Sequence, residues 1–286
     1  MDSTNEPEDQ ELRSESPSKH GVVGSTPAAD QTDGSRDSNP LIQPLLALLF
    51  LTAVAQLSSL AYNMTVAAQM AGPPEPNILR AVATSAVLLS LITIPLAVLG
   101  LRLGTPINLG APLLTDLLRR RPGSAARLGR EGIVAIPLGL GLGLALLLLR
   151  AALQQHLPPS LPEFGHRGVV GGLLASGGAA VAEEVWVRLG VMTVLMWLLA
   201  RASRSSPVRP AVAWTANLIA AFAFGLLHLP QLAQYGAASA IGISGTMLGN
   251  GVVGLAYGWL YWRHSLLAAI LGHFAVDLVL HVFTAL

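Results

Sequence analysis

The sequence predicts an all-α, polytopic membrane helix bundle of about seven transmembrane helices behind a disordered N-terminal tail. Three observations carry that expectation. The 286 residues are 52% hydrophobic and 12% charged, against about 25% charged in an ordinary soluble domain. Apolar runs near the roughly 20 residues needed to cross a bilayer recur along the chain. The arginines between those runs fall in alternate loops, as the positive-inside rule requires of membrane proteins.

The first element is the tail. Residues 1–39 hold nine of the sixteen acidic residues and are rich in Ser, Pro, Gly and Asp. They have too little apolar surface to offset the entropy of ordering. No charged-then-apolar start with a cleavage site is present, so the segment does not read as a secretory signal peptide. The net charge of +1 averages this acidic tail with a basic body. The chain has no cysteine, which excludes disulfides, thiolate nucleophiles, cysteine zinc sites, Fe–S clusters and palmitoyl anchors. Arginine outnumbers lysine sixteen to one. That ratio, with abundant Ala, Gly and Leu, suggests a chain from a bacterial cytoplasmic membrane, and nothing in it points to nucleic acid.

Seven apolar segments follow, at 41–71, 79–101, 132–153, 169–200, 211–229, 238–262 and 265–285. The first and fourth are long enough to tilt or break, and Gly177-Gly178 is the expected break in the fourth. Arg102, Arg119, Arg120, Arg121, Arg127 and Arg130 lie between segments two and three. Arg201, Arg204 and Arg209 follow segment four, and Arg263 follows segment six. The opposite loops hold Gly72 to Pro76, then 154–168 with only Arg167, then the uncharged 230–237. The arginine-rich face is therefore expected in the cytoplasm, with the N-terminus inside and Leu286 outside. Leu113, Leu114, Leu117 and Leu118 beside the arginine cluster predict a short interfacial helix. Gly139, Gly141 and Gly143, and then Gly245, Gly249, Gly254 and Gly258, read as close-packing positions between helices. The organisation is thus a tail (1–39), N-terminal spans with an arginine-rich loop (40–153) and a C-terminal core (165–286).

Ionisable side chains at membrane depth are costly and by default mark a site. The fourth span contains Glu183, Glu184 and Arg188 within six residues. At about 100° per residue, Glu184 and Arg188 share a face one turn apart and read as an internal ion pair. Glu183 points away from that pair and reads as the free, reactive carboxylate. The bland alternative is a buried polar clamp made of all three. The fifth span ends on Phe224 and His228, one turn apart before Pro230, where a lone histidine is ordinarily interfacial. The seventh holds His273 and Asp277 at i, i+4, close enough to hydrogen-bond and fix the imidazole tautomer. His281 reads as interfacial and His264 as a loop residue.

Glu-Glu-x-x-x-Arg, then Phe-x-x-x-His, then His-x-x-x-Asp, on three membrane helices in that order, resembles the CPBP family of intramembrane endopeptidases. That group comprises CAAX-processing prenyl proteases of type II and bacteriocin-immunity (Abi) proteins. The resemblance covers about residues 165–285 and includes the run from Gly254 to Tyr261. It implies a glutamate-activated water that attacks a peptide bond of a membrane-associated, sometimes lipidated, protein or peptide. Carried over, Glu183 is the general base, and His228 holds or polarises the water. His273 and position 277 support the oxyanion, while Glu184 and Arg188 shape the site. A desolvated carboxylate suits the base role. Many members of the family carry Asn where this chain has Asp277, and an ionised Asp cannot donate to an oxyanion. The expectation here is that Asp277 orients His273 and His273 donates.

Glu183, Glu184, Asp277 and Arg188 sum to −2 if all are ionised, so protons or a cation must compensate. A divalent metal such as zinc on Glu183, His228 and His273 is the metalloprotease alternative to a glutamic mechanism. The same residues bear on other classes. Gly242-Ile243-Ser244-Gly245 matches a rhomboid serine-protease pattern but leaves Glu183, Glu184 and Arg188 unexplained. A site-2 type zinc protease lacks its His-Glu-x-x-His, and a presenilin-like aspartyl protease lacks a second membrane aspartate. An ion- or proton-coupled transporter and a non-catalytic scaffold or immunity protein complete the alternatives.

Overall fold

The structure is a computed structural model that describes residues 41–70, 78–204 and 207–286, and among them every regular element is helical. The tail expected at 1–39 lies outside the described residues. The helices are α1 (Ile42–Met70), α2 (Ile78–Val87), α3 (Ile94–Gly104), α4 (Pro112–Leu118), α5 (Ser124–Leu153), α6 (Gly168–Glu183), α7 (Thr193–Ala202), α8 (Pro210–Gln234), α9 (Ala240–Arg263) and α10 (Leu266–Asp277). Three π-helical segments interrupt them without ending the spans: Leu88–Thr93 joins α2 to α3, Glu184–Met192 joins α6 to α7, and Leu278–Val282 extends α10. Among the described residues six stretches are long and apolar enough to cross a membrane, and Ile42–Ser58 is a shorter apolar one.

Several boundaries differ from the sequence expectation for physical reasons. The fourth span does not break at Gly177-Gly178; it runs from Gly168 to Ala202 and widens into the π segment at Glu184–Met192. The fifth span does not stop before Pro230 but continues to Gln234. A proline removes only one i→i−4 hydrogen bond, and membrane helices tolerate that loss where neighbours compensate. The interfacial helix forms as α4, but Leu113 and Leu114 are buried in the core, and Leu118 is exposed.

Side-chain hydrogen bonds stitch the bundle at two places. Ser265 caps α10, its Oγ accepting from the Ala268 N–H at 3.1 Å, and donates to the buried Glu131 of α5. Arg127 holds the same carboxylate at 2.9 Å. On α9, the Tyr261 hydroxyl accepts from the Gly110 N–H at 3.0 Å and meets Thr193 at 2.6 Å.

The glycines divide sharply by what faces them. A Cβ on Gly139 would lie 2.3 Å from the Gly272 carbonyl oxygen and 2.7 Å from the Ala275 Cβ, so α5 and α10 meet backbone to backbone there. Gly143 makes the same approach to Val276 and Val279, whereas a Cβ on Gly141 would meet nothing within 4 Å. On α9, Gly254 and Gly258 press against Ala221 and Asn217 of α8, and Gly245 faces open space. Gly139→Ala is therefore expected to cost about 1–3 kcal/mol through overpacking, and Gly141→Ala close to nothing. Thermal denaturation of the two purified variants checks this; equal midpoints would remove the close-packing account of the α5–α10 contact.

Candidate active site

Glu183 is the last residue of α6, and Glu184 opens the π segment that follows. Such local widenings of a helix concentrate at functional sites. Thr193 satisfies one backbone group of the widened turn, its hydroxyl donating to the Arg188 carbonyl at 3.1 Å. The expected pair forms: Arg188 Nε lies 3.4 Å from Glu184 Oε2, and both side chains are fully sealed. It is an ionic contact rather than a directed hydrogen bond, since neither atom has a hydrogen-bond partner. The Arg188 Nη2 donates to the Gly254 carbonyl at 2.9 Å. Its guanidinium carbon stands 4.8 Å from the centroid of the Phe224 ring and 5.5 Å from that of Tyr257, distances at which a cation is attracted to an aromatic face.

His273 is the point on which the carboxylates converge. Its Nδ1 donates to Glu184 Oε1 at 2.9 Å. An ionised carboxylate only accepts, so this bond places a proton on Nδ1. Nε2 faces Glu183 Oε2 at 3.8 Å and Asp277 Oδ2 at 3.7 Å. Both gaps exceed a direct hydrogen bond. The carboxylate that fixes the His273 ring is thus Glu184, not Asp277 as the i, i+4 spacing suggested. That spacing brings the two residues near each other; it does not reveal a carboxylate arriving from another helix. The Tyr257 ring stacks on the imidazole with centroids 4.5 Å apart and planes 12° from parallel. In the sequence Tyr257 stands only as part of the run from Gly254 to Tyr261. Its signal was an aromatic hydroxyl between Gly254 and Gly258 on an apolar helix.

His228 sits six residues before the end of α8, well inside the helix rather than at its terminus. Its Nδ1 donates to the Phe224 carbonyl at 2.8 Å, which in the neutral ring leaves Nε2 bare. Phe224 is sealed beneath it and meets His228 and His273 edge-on, at 4.8 and 6.0 Å.

Glu183, His228, Tyr257, His273 and Asp277 all line one cavity of about 1050 Å³. Its walls come from the later part of α5, α6, α8 and α10 (α6 being the first half of its span), the earlier part of α9, parts of α1 and α2, and the 157–167 loop. In a bundle whose spans alternate in direction, these belong to one end, the one opposite the arginine-rich loops. Glu183 keeps 26% of its side chain exposed in that wall, against 0% for Glu184. Ser244 is not among the cavity residues; it lies in a shallow groove with Leu218, Phe222, Met247 and Leu248, which removes the structural basis for the serine-protease pattern. Among the described residues no three His, Asp or Glu side chains are grouped so as to hold a metal ion. Glu183, His228 and His273 as placed do not form the two-His, one-carboxylate set.

Residues 165–279 match the family model described as type II CAAX prenyl endopeptidase Rce1-like. The matched segment carries all six site residues, and the match supports the CPBP resemblance over that part of the chain. With the apolar helices it describes an integral membrane protein. No curated protein and no solved structure matches the chain significantly.

Proposed function

We propose that this chain is an intramembrane endopeptidase in which Glu183 activates a water for attack on a peptide carbonyl. One observation carries the reading. Glu183 is an open carboxylate in the cavity wall, with no hydrogen bond among the described residues, and it faces His273 across 3.8 Å. Gaps of that size between polar groups are where water sits. In the step, the water oxygen bonds to the carbonyl carbon as Glu183 takes the water proton. Collapse of the tetrahedral adduct breaks the C–N bond, and the same proton goes to the leaving amine. The bare Nε2 of His228 accepts a hydrogen bond that holds the water. Glu184 fixes His273, and Arg188 balances Glu184. The substrate class is a protein or peptide that reaches the cavity from the bilayer or its surface, lipidated in the case that the matched family's description names.

The deciding experiment compares protein termini in host membranes that contain wild type or Glu183→Gln at matched levels. Termini that vanish in the variant establish proteolysis and name the substrate. Identical profiles with both proteins folded would end the protease reading.

Orientation is proposed from the arginine-rich loops. With those loops in the cytoplasm, the cavity residues lie towards the opposite face. The chain's lack of cysteine makes this directly testable. Cysteine at the exposed Ser160 should react with a membrane-impermeant maleimide in intact cells, and cysteine at the exposed Ser203 only after permeabilisation. The reverse pattern would invert the topology.

A further inference from the structure

The proposed reaction needs a proton-bearing group beside the developing oxyanion, in the cavity wall and not already committed. The residues to which the family resemblance gives that task do not meet the condition as placed here. Asp277 as a carboxylate can only accept. In the neutral ring His273 has its one N–H, on Nδ1, committed to Glu184. His228 spends its Nδ1–H on the Phe224 carbonyl. Arg188 is sealed and absent from the cavity lining. Asn250 donates to the Thr246 carbonyl at 2.9 Å, and both lie about two helical turns or more from Tyr257 along α9 (about 1.5 Å per residue).

Tyr257 meets every part of the condition. It lines the cavity and stacks on His273, with 1% of its surface exposed. Its hydroxyl makes no hydrogen bond among the described residues, yet is not one of the sealed, unpartnered atoms, so it reaches the open space. The contrast one turn along is instructive. Tyr261, on the same face of α9, has its hydroxyl fully engaged by Thr193 and Gly110. In Tyr257 the donor is left unused, in the wall that also carries Glu183, His228 and His273. We infer that Tyr257 is a further catalytic residue, whose hydroxyl donates a hydrogen bond to the carbonyl oxygen of the scissile peptide as it becomes an oxyanion. The inference rests on the endopeptidase reading.

The test uses purified full-length protein and a fluorogenic peptide spanning the bond that wild type cleaves and Glu183→Gln does not. Tyr257→Phe keeps the ring, its volume and its stack on His273, and removes one donor. Loss of an oxyanion donor costs about 10²–10³ in kcat, so kcat should fall by that factor with KM and the thermal midpoint unchanged. A kcat within about threefold of wild type, with Glu183→Gln dead, would overturn the role of Tyr257 and leave the protease reading standing. Should Tyr257→Phe lower the thermal midpoint, site-specific 3-fluorotyrosine decides, because it keeps the hydroxyl but makes it more acidic. A downward move of the alkaline limb of the kcat profile supports the donor, and an unmoved limb overturns it. Absence of any Glu183-dependent cleavage overturns both readings together.

Discussion

Glu183→Gln is expected to lower kcat by about 10²–10⁴-fold, the usual contribution of a positioned general base, with the fold persisting. The amide matches the carboxylate in size but cannot take the water proton. Its stability cost is small for a structural reason: Glu183 is 26% exposed and gives up no hydrogen bond among the described residues. Glu184→Gln is the informative contrast. Glu184 is sealed, and its two oxygens serve His273 and Arg188 separately, so its loss lowers the thermal midpoint and activity together. Single-turnover cleavage and thermal denaturation of both purified variants separate the cases. If Glu183→Gln cleaves at the wild-type rate and Glu184→Gln is folded but dead, the base has been assigned to the wrong carboxylate.

The helical class, six of the seven spans and the Glu184–Arg188 pair are legible in the sequence, because each is local. A carboxylate and a guanidinium four residues apart meet even where the helix widens, as they do here at 3.4 Å. Apolar length locates a span but not whether proline ends it, because the compensation for Pro230 comes from neighbouring helices. The ambiguity bears on function, since a span that stops before Pro230 leaves His228 at an interface. The bond from Glu184 to His273 joins residues 89 apart in sequence, and the stack of Tyr257 on His273 joins two helices. Neither leaves a periodic signal. Glycine spacing was legible as a class but not by member: Gly139 and Gly143 meet α10 and its π extension, and Gly141 between them meets nothing.

Arg188→Met is expected to be the most destabilising substitution in the site. The arginine is fully buried, as is Glu184, and the charges of the pair are desolvated together. Methionine fills much of the space beneath Phe224 and Tyr257 but leaves the Glu184 carboxylate with no cation within the sealed pocket. Breaking a buried pair from one side costs about 3–5 kcal/mol, whereas replacing both partners by neutral groups is far milder. The double variant Glu184→Gln/Arg188→Met should therefore be more stable than Arg188→Met alone, although it removes more native contacts. The paired substitution also separates support from chemistry. A glutamine at 184 can still accept from His273 Nδ1, so the double variant keeps the imidazole placed and regains part of the cleavage that Arg188→Met loses. Thermal midpoints of the two single variants and the double give the coupling directly. Additive losses would mean that Arg188 is retained for its bond to the Gly254 carbonyl and its aromatic contacts, and that the ion pair contributes nothing to holding the site.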